Sequence, residues 1–112
     1  MNIWDDSFQA IKEGWKNIEM RLNDKKRSII KVNDIVVFTN SKTKEEMKCN
    51  VINIFKYSNF EELYKNHNKL SIGYKENESA NSQDMLDYYS IDKIKENGVI
   101  GIEIQVIEEN DY

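Results

Sequence analysis

The chain has 112 residues with a formal net charge of −4, one Cys, one His and no Pro. That length supports one modest core, so a single domain over 1–112 is expected. The lone Cys49 and lone His67 exclude a disulfide framework, a Cys/His zinc site and a two-cysteine redox motif. No apolar run approaches the roughly 20 residues a membrane helix needs, and the acidic start MNIWDDSF lacks the basic flank of a signal peptide. A cytoplasmic protein with no membrane association is the expectation, and the sequence carries no metal or cofactor motif.

Charge is unevenly spread. Residues 12–31 carry seven Lys/Arg against three acids, a block of +4, which leaves −8 for the rest of the chain. General coating of nucleic acid is disfavoured by the acidic total, yet a local anion site is favoured near the first third.

In chain order, the spacing of Trp4, Phe8 and Ile11, with Asp5, Asp6 and Ser7 as candidate caps, predicts a helix over about 4–13 stopped by Gly14. Residues 16–22 alternate, Ile18, Met20 and Leu22 against Asn17, Glu19 and Arg21, which predicts a half-buried strand. A basic connection over 23–31 leads to a β-branched run, 34–39, that reads as a strand buried on both faces. After a polar turn at 40–44, apolar residues over 46–57 begin on one parity and then spread to the other, the pattern of a bent or bulged strand, with Cys49 as core filler.

Ser58 followed by Glu61 resembles a capping box and predicts a helix to about Asn66, with His67 at its solvent-facing end. Residues 67–81 lack periodicity. Short helical turns follow over 83–89 and 90–97, the second stopped by Gly98, and their carboxylates, with Glu61 and Glu62, read as solvated. The clearest strand is the last, where Ile100, Ile102, Ile104 and Val106 alternate with Gly101, Glu103 and Gln105. The acidic end 108–112 reads as a frayed tail. Strands without regular β-α alternation exclude a doubly wound sheet and a TIM barrel. The expected architecture is α+β: a small bent β-barrel of about four to six strands with two or three short helices at its ends.

The segment Gly14-Trp15-Lys16-Asn17-Ile18-Glu19-Met20-Arg21 carries the chemistry. Glu19 and Arg21 stand two apart on one strand face, about 7 Å between Cα atoms, close enough for their side chains to meet. Two readings stand open. On an outward face they form a surface pair worth under about 1 kcal/mol; in a barrel mouth both must be partnered, and Lys16 at the strand entry supplies a cation or a proton-transfer group.

The string Gly14-x-Lys16-x-x-Glu19-x-Arg21, followed by Leu22 through Arg27 and by Ile30-Lys31-Val32-Asn33-Asp34-x-Val36-x-Phe38, resembles the ASCH (activating signal cointegrator homology) domain family and its GxKxxExR hallmark. Tyr57 through Leu63, Met85 with Tyr88-Tyr89-Ser90, and Gly98 through Ile102 also look like small bacterial members. Asn33-Asp34 stands where the family usually shows Gly-Asp, and Asn tolerates the left-handed backbone of such a turn.

The resemblance implies a PUA-like barrel whose cleft faces single-stranded RNA or a nucleoside. It places Lys16, Glu19 and Arg21 in that cleft, with Lys25, Lys26 and Arg27 on phosphates and Trp15, Tyr88 or Tyr89 available for stacking. A subset of small family members removes the acetyl group from N4-acetylcytidine with a Lys, a Thr and a Glu. Lys16 matches the Lys, whereas the Thr position is Glu19, which with Lys16 could activate a water; Glu76 and Glu78 are candidates for the partner carboxylate by region only. Binding of RNA or a nucleoside, amide hydrolysis at Lys16 and Glu19, and a protein-interaction role are thus three expectations.

Overall fold

The computed structural model describes residues 1–107, so the acidic tail at 108–112 lies outside the described residues. Five strands form one curled half-barrel sheet: β1 (Asn2–Ile3), β2 (Ile18–Leu22), β3 (Ile35–Asn40), β4 (Glu46–Tyr57) and β5 (Val99–Val106), in the order β1-β3-β4-β5-β2. Only β1–β3 is parallel. Four short helices, α1 (Asp5–Glu13), α2 (Lys25–Ser28), α3 (Phe60–Asn66) and α4 (Ile91–Asn97), and a 3₁₀ helix (Ser82–Asp87) complete the α+β, PUA-like architecture.

β5 lies between β4 and β2 and carries buried apolar residues on both faces. Ile100, Ile102 and Ile104 pack with Phe8 and Ile11 of α1, Phe38 of β3 and Met47, Cys49 and Val51 of β4. Val99 packs on the other face with Ile18, Leu22, Phe60, Leu63, Met85 and Ile94, which draws α3, α4 and the 3₁₀ helix onto that side. Burial of this kind contributes about 25 cal/mol per Å² of apolar surface, and it holds helices too short to be stable alone. The predicted bend in β4 is a bulge, with the register to β5 shifting between Val51 and Asn53. Gly14 ends α1 in the left-handed region at φ 93°, as its position predicts, and Asn33 takes φ 78° in the turn before β3.

Several local expectations are corrected. Trp4 precedes α1 as an exposed residue, and neither Asp5 nor Asp6 caps the helix. One turn of helix, α2, sits within the basic 23–31 connection because Asp24 accepts the backbone N–H of Arg27. The cap of α3 is Asn59, which accepts from Glu62, so the Ser58–Glu61 box is off by one residue. β3 is buried on one face only. Phe38 and Asn40 point inward while Ile35 is exposed, since no layer covers the outer side of β3. His67 is half-buried, its Nε2 2.9 Å from the Tyr57 hydroxyl and its ring edge-on to Phe55.

Among the described residues no helix is long and apolar enough to cross a membrane.

Candidate functional site

Alternation on β2 puts Glu19 and Arg21 on one face, and the turn after Gly14 delivers Lys16 to the same place. That turn is pinned from two sides. The Lys16 N–H donates to the Ala10 carbonyl, and the N–H groups of Asn17 and Ile18 donate to the Ser71 carbonyl of the 67–81 segment. Gly73 of that segment, at φ 111°, lets the backbone press on the Lys16 stem; a Cβ there would lie 3.2 Å from Lys16 Cδ.

The three charges converge. Lys16 Nζ donates to Glu19 Oε1 at 3.0 Å, while Arg21 donates to Oε2 from Nε at 3.2 Å and from its terminal nitrogen at 2.9 Å. Lys16 is 6% exposed and Glu19 5%, so the surface-pair reading fails although β2 is an edge strand. Burial pushes the Glu19 carboxyl up, but Lys16 and then Arg21 outweigh it and hold the group below its ordinary range. Two cations share one carboxylate, so the network keeps an excess positive charge. Arg21 also donates to the Asn2 carbonyl, and Lys16 Nζ lies 3.3 Å from Ser7 Oγ, a hydroxyl on α1.

These groups floor a cleft of about 420 Å³. Its walls bring in Tyr64, Tyr74 and Asp84, together with Tyr88 and Tyr89 from the end of the 3₁₀ helix. Tyr88 is 60% exposed, a ring offered to solvent. Tyr89 is half-buried and stacks on Phe60, with centroids 5.9 Å apart. Burial raises its phenol above the ordinary range, outweighing the pull of the nearby Arg21.

The remaining sequence candidates fall outside the cleft lining. Trp15 turns into a separate concavity lined also by Glu76 and Glu78, its indole N–H donating to Glu13, because Lys16 and Trp15 leave the turn on opposite sides. Glu76 and Glu78 therefore do not face Lys16. Lys25 and Lys26 are exposed on α2, and Arg27 pairs with Asp24 at 3.3 Å. All three cations lie outside the cleft itself; the charges of Lys26 and Arg27, after burial and Arg21, depress the amine of Met1. Asp84 is exposed, as read from the sequence, and accepts from the Tyr74 hydroxyl at 2.7 Å. Ser7, Tyr64, Tyr74 and Asp84 carried no local signal, since they reach the cleft through contacts between distant segments. Among the described residues, no three His, Cys, Asp or Glu side chains gather to hold a metal ion.

A half-barrel with helices packed on both faces and a buried Lys-Glu-Arg network at the floor of its cleft defines a PUA-like domain. The profile of the ASCH domain matches residues 1–108, and the chain belongs to that family. It is similar to the crystal structure of the hypothetical protein PH0355, with 30% identity, 96% of both chains covered and a TM-score of 0.81. It is also similar to the solution NMR structure of protein PF0455 from Pyrococcus furiosus, with 30% identity, 97% of this chain and 96% of that one covered and a TM-score of 0.72. No functionally curated protein matches the sequence.

Proposed function

We propose that the cleft takes an unpaired nucleobase of single-stranded RNA, or a nucleoside. The observation that carries this reading is an exposed Tyr88 ring lining the same cleft as a buried network of two cations and one carboxylate. A base stacks on Tyr88, an interaction worth about 1–3 kcal/mol. Lys16 and Arg21 offer N–H donors to base or sugar oxygens. The cations of α2 that meet the flanking phosphates are Lys25 and Lys26, both exposed.

Binding of a short labelled single-stranded RNA, followed by anisotropy, tests this. Affinity falls steeply from 50 to 200 mM salt, and replacing Lys25 and Lys26 with Ala flattens the salt dependence by releasing about two fewer counterions. Absent or salt-independent binding contradicts the proposal.

A second reading, hydrolysis of an acyl group on a modified nucleoside such as N4-acetylcytidine, is favoured by one contact. Ser7 Oγ beside Lys16 Nζ supplies the hydroxyl that the Glu19 position lacks. Its oxygen would bond to the acyl carbon as the C–N bond to the base breaks, the hydroxyl proton leaving on the departing nitrogen while Lys16 donates to the developing oxyanion, and water would then release the acid. Chromatographic release of cytidine, abolished by Ser7→Ala, is the expected result; a wild type without turnover ends this reading.

A further inference from the structure

We infer that Asp84 makes the cleft selective for bases bearing an exocyclic amino group, cytosine, adenine or guanine, over uracil. This rests on the nucleobase reading above and adds the chemical class of base that the cleft admits.

Two hydroxyls and a carboxylate, from Tyr64, Tyr74 and Asp84, line the cleft. Tyr74 has a single hydroxyl proton and two acceptors within reach, Asp84 Oδ2 at 2.7 Å and the Asn81 carbonyl at 3.1 Å. The shorter, charge-assisted bond takes the proton. Tyr64, 2.9 Å from Tyr74, must then donate to the Tyr74 oxygen. Every proton in the relay points toward Asp84. Burial is the main influence raising both phenols, so the relay stays protonated and its direction is fixed.

The relay therefore ends in a carboxylate that can only accept. Tyr74 occupies Oδ2, and no bond to Oδ1 occurs among the described residues. Lys16 and Arg21, in the same cleft, can only donate. A ring that satisfies this lining must present an N–H to Asp84 and an acceptor elsewhere on its edge. Cytosine does so with its amino group beside N3 and O2, adenine with its amino group beside a ring nitrogen, and guanine with its amino group and N1–H beside O6. Uracil offers one imide N–H flanked by two carbonyl oxygens, so approach of the carboxylate sets it against both. A site built to accept from an N–H rejects the analogue that presents oxygen there, and discrimination by such a contact is about tenfold to a hundredfold.

Asp84→Asn tests the assignment because it keeps the shape and an oxygen for Tyr74 while replacing the free acceptor with an amide donor. Labelled single-stranded oligo(C), oligo(A) and oligo(U) are titrated against wild type and variant by anisotropy at one salt concentration, with thermal melts confirming that both are folded. Tyr74→Phe, which removes the proton that orients Asp84, provides a second variant. Expected is tighter binding of oligo(C) and oligo(A) than oligo(U) by about tenfold or more. That preference shrinks in Tyr74→Phe and is lost or inverted toward oligo(U) in Asp84→Asn. Equal binding of all three by the wild type, or a preference that Asp84→Asn leaves unchanged, overturns the inference while the nucleobase reading stands. Failure of all three to bind overturns both.

Discussion

Glu19 is the hub of the buried network, and its removal should be the most damaging single change at the site. It receives three hydrogen bonds from two cations at 2.9–3.2 Å and is 5% exposed. Glu19→Gln preserves the shape but leaves Lys16, itself 6% exposed, with only neutral partners. Breaking a buried pair by removing one partner costs about 3–5 kcal/mol. Because Arg21 is partly exposed and retains the Asn2 carbonyl, the lower end applies, about 3 kcal/mol, or near 12 °C in Tm for a domain of this size. Lys16→Met should cost less, about 1–2 kcal/mol, since Glu19 still holds Arg21 through two bonds.

Urea melts at neutral pH measure both changes, and the pH dependence adds a second check. The folded-state pKa of Glu19 lies below its ordinary value of 4.5, so its stabilising effect is complete above that pH and declines as the pH falls through the folded value. The gap between wild type and Glu19→Gln should therefore narrow in acid. A gap under about 1 kcal/mol at pH 7, a Lys16→Met cost equal to that of Glu19→Gln, or a gap that widens in acid would refute the hub argument.

Further outcomes follow from single contacts. Gly73→Ala meets both a φ of 111° and the Lys16 stem at 3.2 Å, so it should destabilise by about 1–3 kcal/mol in a thermal melt and weaken RNA binding; an unchanged Tm contradicts this. Tyr88→Ala should lower RNA affinity by about tenfold or more while leaving Tm unchanged, because the ring is 60% exposed. The Cys49 thiol is fully buried and pushed up to about 11 by burial. Its modification by a disulfide reagent at pH 8 should be slow in the native protein and fast in urea; rapid native labelling would contradict its placement in the core.

The parts of the fold legible in the sequence were those where one local pattern decides the outcome. Alternation located β2 and β5, the spread of parity located the bulge in β4, and Gly14 and Gly98 marked helix ends. β3 misled because a β-branched run describes backbone preference, whereas burial of its outer face depends on whether another layer covers it. At the site, the i, i+2 spacing brought Glu19 and Arg21 together, and the place of Lys16 at the strand entry marked it as the third charge before the GxKxxExR resemblance added to it. Trp15 could not be placed from composition, since one step along the turn sends adjacent side chains in opposite directions. The Tyr64-Tyr74-Asp84 relay was invisible because it joins α3, an aperiodic segment and the 3₁₀ helix.

Backbone amide chemical shifts recorded during titration with a short single-stranded RNA test most directly whether the cleft is the binding site. Saturable perturbations are expected at Ser7, Arg21, Gly73, Asp84, Tyr88 and Tyr89, with weaker, salt-sensitive ones on α2. Perturbations confined to the Trp15 concavity or to the exposed face around Ile35, or none at low salt, would contradict binding in the cleft.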